Sequence, residues 1–110
     1  MDLVKIEEFA KIRPADGSVA DLHVARRLAA AASGKTSACF DLGVIFSTGG
    51  HGVGIDLIEA HKWFNLAATA GHEEASFCRA DVSEEMTARE IAEAQRRARE
   101  WLRAGERRAA

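Results

Sequence analysis

The sequence holds a single proline, and only 6% of its 110 residues are aromatic. Many of its apolar residues are alanine instead, a composition that favours helices and disfavours strands. Two cysteines without a secretion signal give no basis for a disulfide framework. No apolar run approaches the ~20 residues of a transmembrane span. The N-terminus, Met-Asp-Leu-Val-Lys-Ile-Glu-Glu, is acidic where a signal peptide needs a basic region followed by a long apolar one. A cytoplasmic chain is therefore expected. A formal net charge of −2 is too small to imply a nucleic-acid or membrane partner. The length suits one domain with a modest core.

What the sequence does contain is helical periodicity around a glycine-rich loop, from Ala38 to Gly71. Ala38, Leu42, Ile45 and Phe46 recur at steps of three and four, one face of a helix. Gly34 precedes this helix, with Thr36 or Ser37 as its cap. Gly43 lies mid-helix, where glycine costs about 1 kcal/mol against alanine, so close approach of a second helix is expected there. Asp56 and Glu59 form a capping-box pattern ahead of Ala60, Trp63, Phe64, Ala67 and Ala68. Gly71 is placed to end that second helix. Between the two lies Gly49-Gly50-His51-Gly52-Val53-Gly54, whose glycines tolerate a sharp turn.

A shift of 37 residues carries Gly34 onto Gly71, Ala38 onto Ala75, Ala30 and Ala31 onto Ala67 and Ala68, and Phe9 onto Phe46. A shift of 38 carries Ala60 and Trp63 onto Ala98 and Trp101. The chain thus divides into units at about 1–37, 38–74 and 75–110, and a fixed period in this range marks a helical repeat array. In the first unit, residues 2–12 and a segment capped at Ser18 read as helices around a turn at 13–17. In the third, helices are expected from His72 to about Ser83 and from a capping box at Thr87 and Glu90 to about Gly105. The tail after Gly105 is expected to fray.

The central unit resembles the Sel-one-like repeat, a relative of the tetratricopeptide repeat. The residues that carry the likeness are Ala38, Leu42-Gly43, Phe46, Gly50-His51-Gly52-Val53, Asp56, Ala60, Trp63-Phe64, Ala67-Ala68, Gly71 and Ala75. Phe46 and Phe64 stand where that family usually has tyrosine, and one extra residue precedes the glycine run. The match is specific but covers about a third of the chain. It implies an all-α fold, a short right-handed α-solenoid of three helix-turn-helix hairpins. It also implies a scaffold or adaptor role without chemistry of its own. In such arrays the first helix of each hairpin lines a concave groove. That puts Phe40, Val44 and Phe77 on the groove side, with Asp81, Glu84 and Glu85 beside them, a surface suited to a peptide with apolar and basic residues. Rings that merely seal the gap between hairpins are the structural alternative.

Other chemistry is weakly signalled. The glycine loop lacks the Gly-Lys-Ser/Thr ending of a phosphate-binding loop, and no strand precedes it. His23, His51, His61, His72, Cys39 and Cys78 show none of the close pairing of zinc ligands, so no metal or cofactor is expected. The cysteines read as small buried hydrophobes that stacking can bring near each other. No oriented nucleophile and base are in view, and an enzyme is not expected. Residues 72–86 carry a net charge of −4 and residues 87–110 a net charge of +3. The arginines of the latter alternate with Glu93, Glu100 and Glu106, as on a solvated helix face. The leading expectation is a small cytoplasmic adaptor. The alternative is a structural protein that self-associates, for instance as a homodimer through the ends of its array.

Overall fold

Among the described residues five helices follow one another through short connections: α1 (Leu22–Ala32), α2 (Thr36–Thr48), α3 (Leu57–Thr69), α4 (Glu73–Ser83) and α5 (Ala88–Ala109). The computed structural model describes residues 22–109, and no strand occurs among them. The helix expected at 2–12, its turn at 13–17 and the Ser18 cap lie outside the described residues.

The turns show why the helices stop where they do. Gly34 and Gly71 adopt φ of 96° and 102°, a region glycine enters without steric cost. At the first, the Lys35 N–H donates to the Ala30 carbonyl at 3.1 Å; at the second, the His72 N–H donates to the Ala67 carbonyl at 3.0 Å. Both bonds satisfy carbonyls that a helix end leaves free, and the same shift of 37 residues relates one turn to the other. The loop between α2 and α3 uses Gly49, His51 and Gly52 at φ of 75°, 55° and 79°. Val53 is 1% exposed and plugs this loop into the core.

Three helix ends differ from expectation. Neither Thr36 nor Ser37 caps α2; the cap is Lys35, with no side-chain hydrogen bond. Asp56 does cap α3, its Oδ1 accepting from the Glu59 N–H at 3.0 Å. The return half of the box is missing, because the Asp56 N–H already donates to the Phe46 carbonyl at 2.9 Å and the Glu59 side chain turns inward. And α5 runs through Gly105 to Ala109. A cost of about 1 kcal/mol for one glycine does not stop a helix whose Ala98, Trp101 and Ala104 are buried. The Thr87 box is complete, with Thr87 N–H to Glu90 Oε1 at 2.8 Å and Glu90 N–H to Thr87 Oγ1 at 3.1 Å.

At the centre stands α3, packed against α2, α4 and α5; α1 packs against α2, and α4 and α5 share little direct contact. The stripe expected on α2 is buried in full at Ala38, Leu42, Ile45 and Phe46, as are Ala60, Trp63, Phe64 and Ala67 of α3. The reason for Gly43 is direct: a Cβ there would fall 2.4 Å from Cδ1 and 2.5 Å from Cε1 of Phe64.

Candidate functional site

Because helices cover α3 on several sides, it buries residues that a surface helix would leave in water. Glu59 is 2% exposed, His61 3% and Lys62 0%. Unpaired charges at such depth would be prohibitive; Glu59 and Lys62 are paired, while the His61 Nδ1 has no hydrogen-bond partner among the described residues. Lys62 Nζ lies 3.2 Å from Glu59 Oε1. Arg97 Nη1 of α5 reaches Glu59 Oε2 at 2.7 Å, and Arg97 Nε continues to Glu93 Oε2 at 2.8 Å. Arg96 closes the outer end on Glu93 at 2.8 Å. Charges of alternating sign therefore run from the core to the surface and tie α5 to α3. Burial alone would raise the Glu59 carboxyl, but Lys62 and Arg97 outweigh it and hold it below the usual carboxylate range.

Aromatic rings reinforce the same seam. Trp63 and Trp101 meet edge to face, with centroids 4.9 Å apart and planes at 73°, an arrangement favoured by the ring quadrupoles. The Lys62 ammonium lies 4.1 Å from the Trp63 centroid, within cation–π range. Burial, aided by Arg79, lowers the His61 pKa below the usual histidine value.

The six residues expected to form a groove occupy different environments. Phe40 is half-buried, stacked on His72 at 4.3 Å and 13° and tilted against Phe64 at 5.7 Å. Val44 is 38% exposed and Phe77 72%. Asp81, Glu84 and Glu85 are exposed. Buried Ala75 and Val82 set the inner face of α4. Phe77, Asp81 and Glu84 lie at i, i+4 and i+7, and so share the outer face. Glu73, four residues before Phe77, joins them. Among the described residues none of Glu73, Glu74, Asp81, Glu84 and Glu85 forms an ion pair.

Both cysteines are free thiols. Burial pushes the Cys39 thiol up to about 11 despite the nearby Lys62. Cys78 is also raised, by burial and then by Glu74 and Asp81. His23 and His51 stack at 4.5 Å, joining α1 to the glycine loop. Among the described residues no group of three or more His, Cys, Asp or Glu is placed to hold a metal ion. No helix among them is long and apolar enough to cross a membrane.

The interior charge cluster is what sequence reasoning missed. One signal pointed to it. The shift of 38 that pairs Ala60 with Ala98 and Trp63 with Trp101 also sets Arg97 against Glu59. Comparison of the chain with models of protein families, with curated proteins and with solved structures finds no match.

Proposed function

We propose that this chain is a protein–protein interaction module: a short right-handed helical-repeat array of the Sel-one-like kind, acting as a small cytoplasmic adaptor. Its repeat character is supported by the matched turns at Gly34 and Gly71. It is supported again by two polar links between successive helices, each spanning 14 residues. Arg27 meets Asp41 at 3.4 Å across α1 and α2; Arg79 meets Asn65 at 2.6 Å across α4 and α3.

The observation that carries the binding role is Phe77. A phenylalanine 72% exposed on a helix face rich in carboxylates has no role in the core, and exposed apolar surface rimmed by polar groups marks interaction sites. The ring supplies contact area, and Glu73, Asp81, Glu84 and Glu85 supply a salt-sensitive attraction for a segment with apolar and basic residues. Phe40 is instead half-buried against His72 and Phe64. In a pull-down from native lysate, Phe77→Ala is expected to keep the full helical signal and lose partner capture. Phe40→Ala, by contrast, is expected to lower stability. Undiminished capture by Phe77→Ala would remove α4 as the binding surface.

A further inference from the structure

The molecule carries a second exposed face of opposite character. On α5, Arg99, Arg103 and Arg107 follow one another at steps of four, all exposed, beside Leu102 at 49% exposure. Glu100 on this helix is paired with Arg96 at 3.4 Å, and Glu106 is the remaining carboxylate near the row, so arginine stays in excess. None of Arg99, Arg103 and Arg107 forms an ion pair among the described residues. The outer face of α4 carries the opposite charge. There Glu73 and Asp81 bracket Phe77 by four residues on either side; on α5 the row Arg99, Arg103 and Arg107 runs alongside Leu102, with Glu106 four residues after that leucine. At a rise of 1.5 Å per residue, each step of four is about 6 Å on both helices. Exposed carboxylates without an ion pair around Phe77 thus have their opposite in an arginine row without an ion pair, flanked by the exposed Leu102. Within one copy the two rows do not meet, because α4 and α5 each lean on α3 and share little contact.

We propose that the occupant of the α4 face is α5 of a second copy of this chain, with the Glu73–Asp81–Glu84 row around Phe77 against Arg99, Arg103 and Arg107 and with Leu102 at the edge of the contact. This rests on the reading of α4 as an interaction surface and adds its partner. Arginine is the apt cation, since its planar fork meets carboxylates in two-point contacts. The contact joins two different patches, so it closes when each copy offers both faces to the other and extends into a chain when it does not. Both faces also set a salt dependence. At 1 M salt, charges are screened beyond about 3 Å, and the association is expected to fall away.

Sedimentation velocity on the full chain, over a concentration series in low salt, tests this with two charge-reversed variants, D81R/E84R and R99E/R103E. The wild type is expected to associate, and each variant alone to sediment as a monomer. An equimolar mixture of the two variants is expected to associate again, because the reversed α4 of one then faces the reversed α5 of the other. Recovery in the mixture also shows that both variants are folded. A wild type that stays monomeric throughout the series overturns the proposal, as does a variant that associates alone or a mixture that does not recover. If the wild type stays monomeric while Phe77→Ala still abolishes partner capture, the occupant named here is wrong and the α4 surface stands. If Phe77→Ala has no effect on capture either, both fall.

Discussion

Replacing Gly43 by alanine sets two effects of known sign against each other. In an ordinary helix interior the change stabilises by about 1 kcal/mol, because alanine has less backbone freedom to lose on folding. Here the new Cβ would lie 2.4 Å from Cδ1, 2.5 Å from Cε1 and 2.9 Å from Cγ of Phe64. These are approaches that force something to move. Phe64 has nowhere easy to go: it is 2% exposed, and Phe40 leans on it at 5.7 Å. Overpacking of this kind costs about 1–3 kcal/mol, so the net change is a loss of about 1 kcal/mol. Denaturant unfolding followed by circular dichroism reads this as a lower midpoint at unchanged slope. Phe64→Leu in the same background removes the clashing ring edge. The double variant is then expected to be more stable than the sum of the singles, by a coupling in the 0.5–3 kcal/mol range seen for touching residues. A Gly43→Ala protein with a higher midpoint than wild type would refute the reasoning, since it would mean the α2–α3 seam has slack.

Two further outcomes follow from the interior and from a cap. Glu59→Gln removes the carboxylate that Lys62 and Arg97 share, and breaking a buried pair typically costs about 3–5 kcal/mol. The Glu59 pKa is lowered in the fold, below an unfolded value of about 4.3. Its stabilisation is therefore complete above that value and is lost as the pH falls through the folded one. The wild type should lose stability on acidification over that window and Glu59→Gln should lose less, which thermal melts across a pH series would show. His72 caps α4 through Nδ1, which accepts from the Ala75 N–H at 3.2 Å, and its ring stacks on Phe40. His72→Ala should cost about 1–2 kcal/mol, and His72→Asn, which keeps a cap acceptor, should recover part of that in equilibrium unfolding.

Much of the helical frame was legible because its signals are local. Spacing of three and four picked out Leu42, Ile45 and Phe46, and chirality at a helix end picked out Gly34 and Gly71. Both act within a few residues and survive whatever surrounds them. The charge cluster was not legible in that way. Reading a helix from its pattern assigns Glu59 and Lys62 to a wet face, and α3 has helices on several sides. Only its neighbours decide that those side chains are covered. The same limit applies to Phe77 and Phe40. A shift of 37 makes them equivalent in sequence, yet His72 lies against one ring and the other stands in water. Local energetics also misled at Gly105, where one unfavourable residue is outweighed by the burial of Ala98, Trp101 and Ala104 along the same helix.

Both tryptophans of the molecule sit at a single seam, in contact with each other and beneath a lysine ammonium. Intrinsic fluorescence is consequently a gauge of one joint. It reports whether α5 is seated on α3, and it is nearly blind to α1 and the glycine loop. An α5 that lifts away while the other helices hold would carry Trp101 into water and uncover Trp63, shifting the emission to the red before the helical signal changes. Emission and ellipticity traced on the same sample would then part company, and the gap between the two curves measures how far this joint opens on its own.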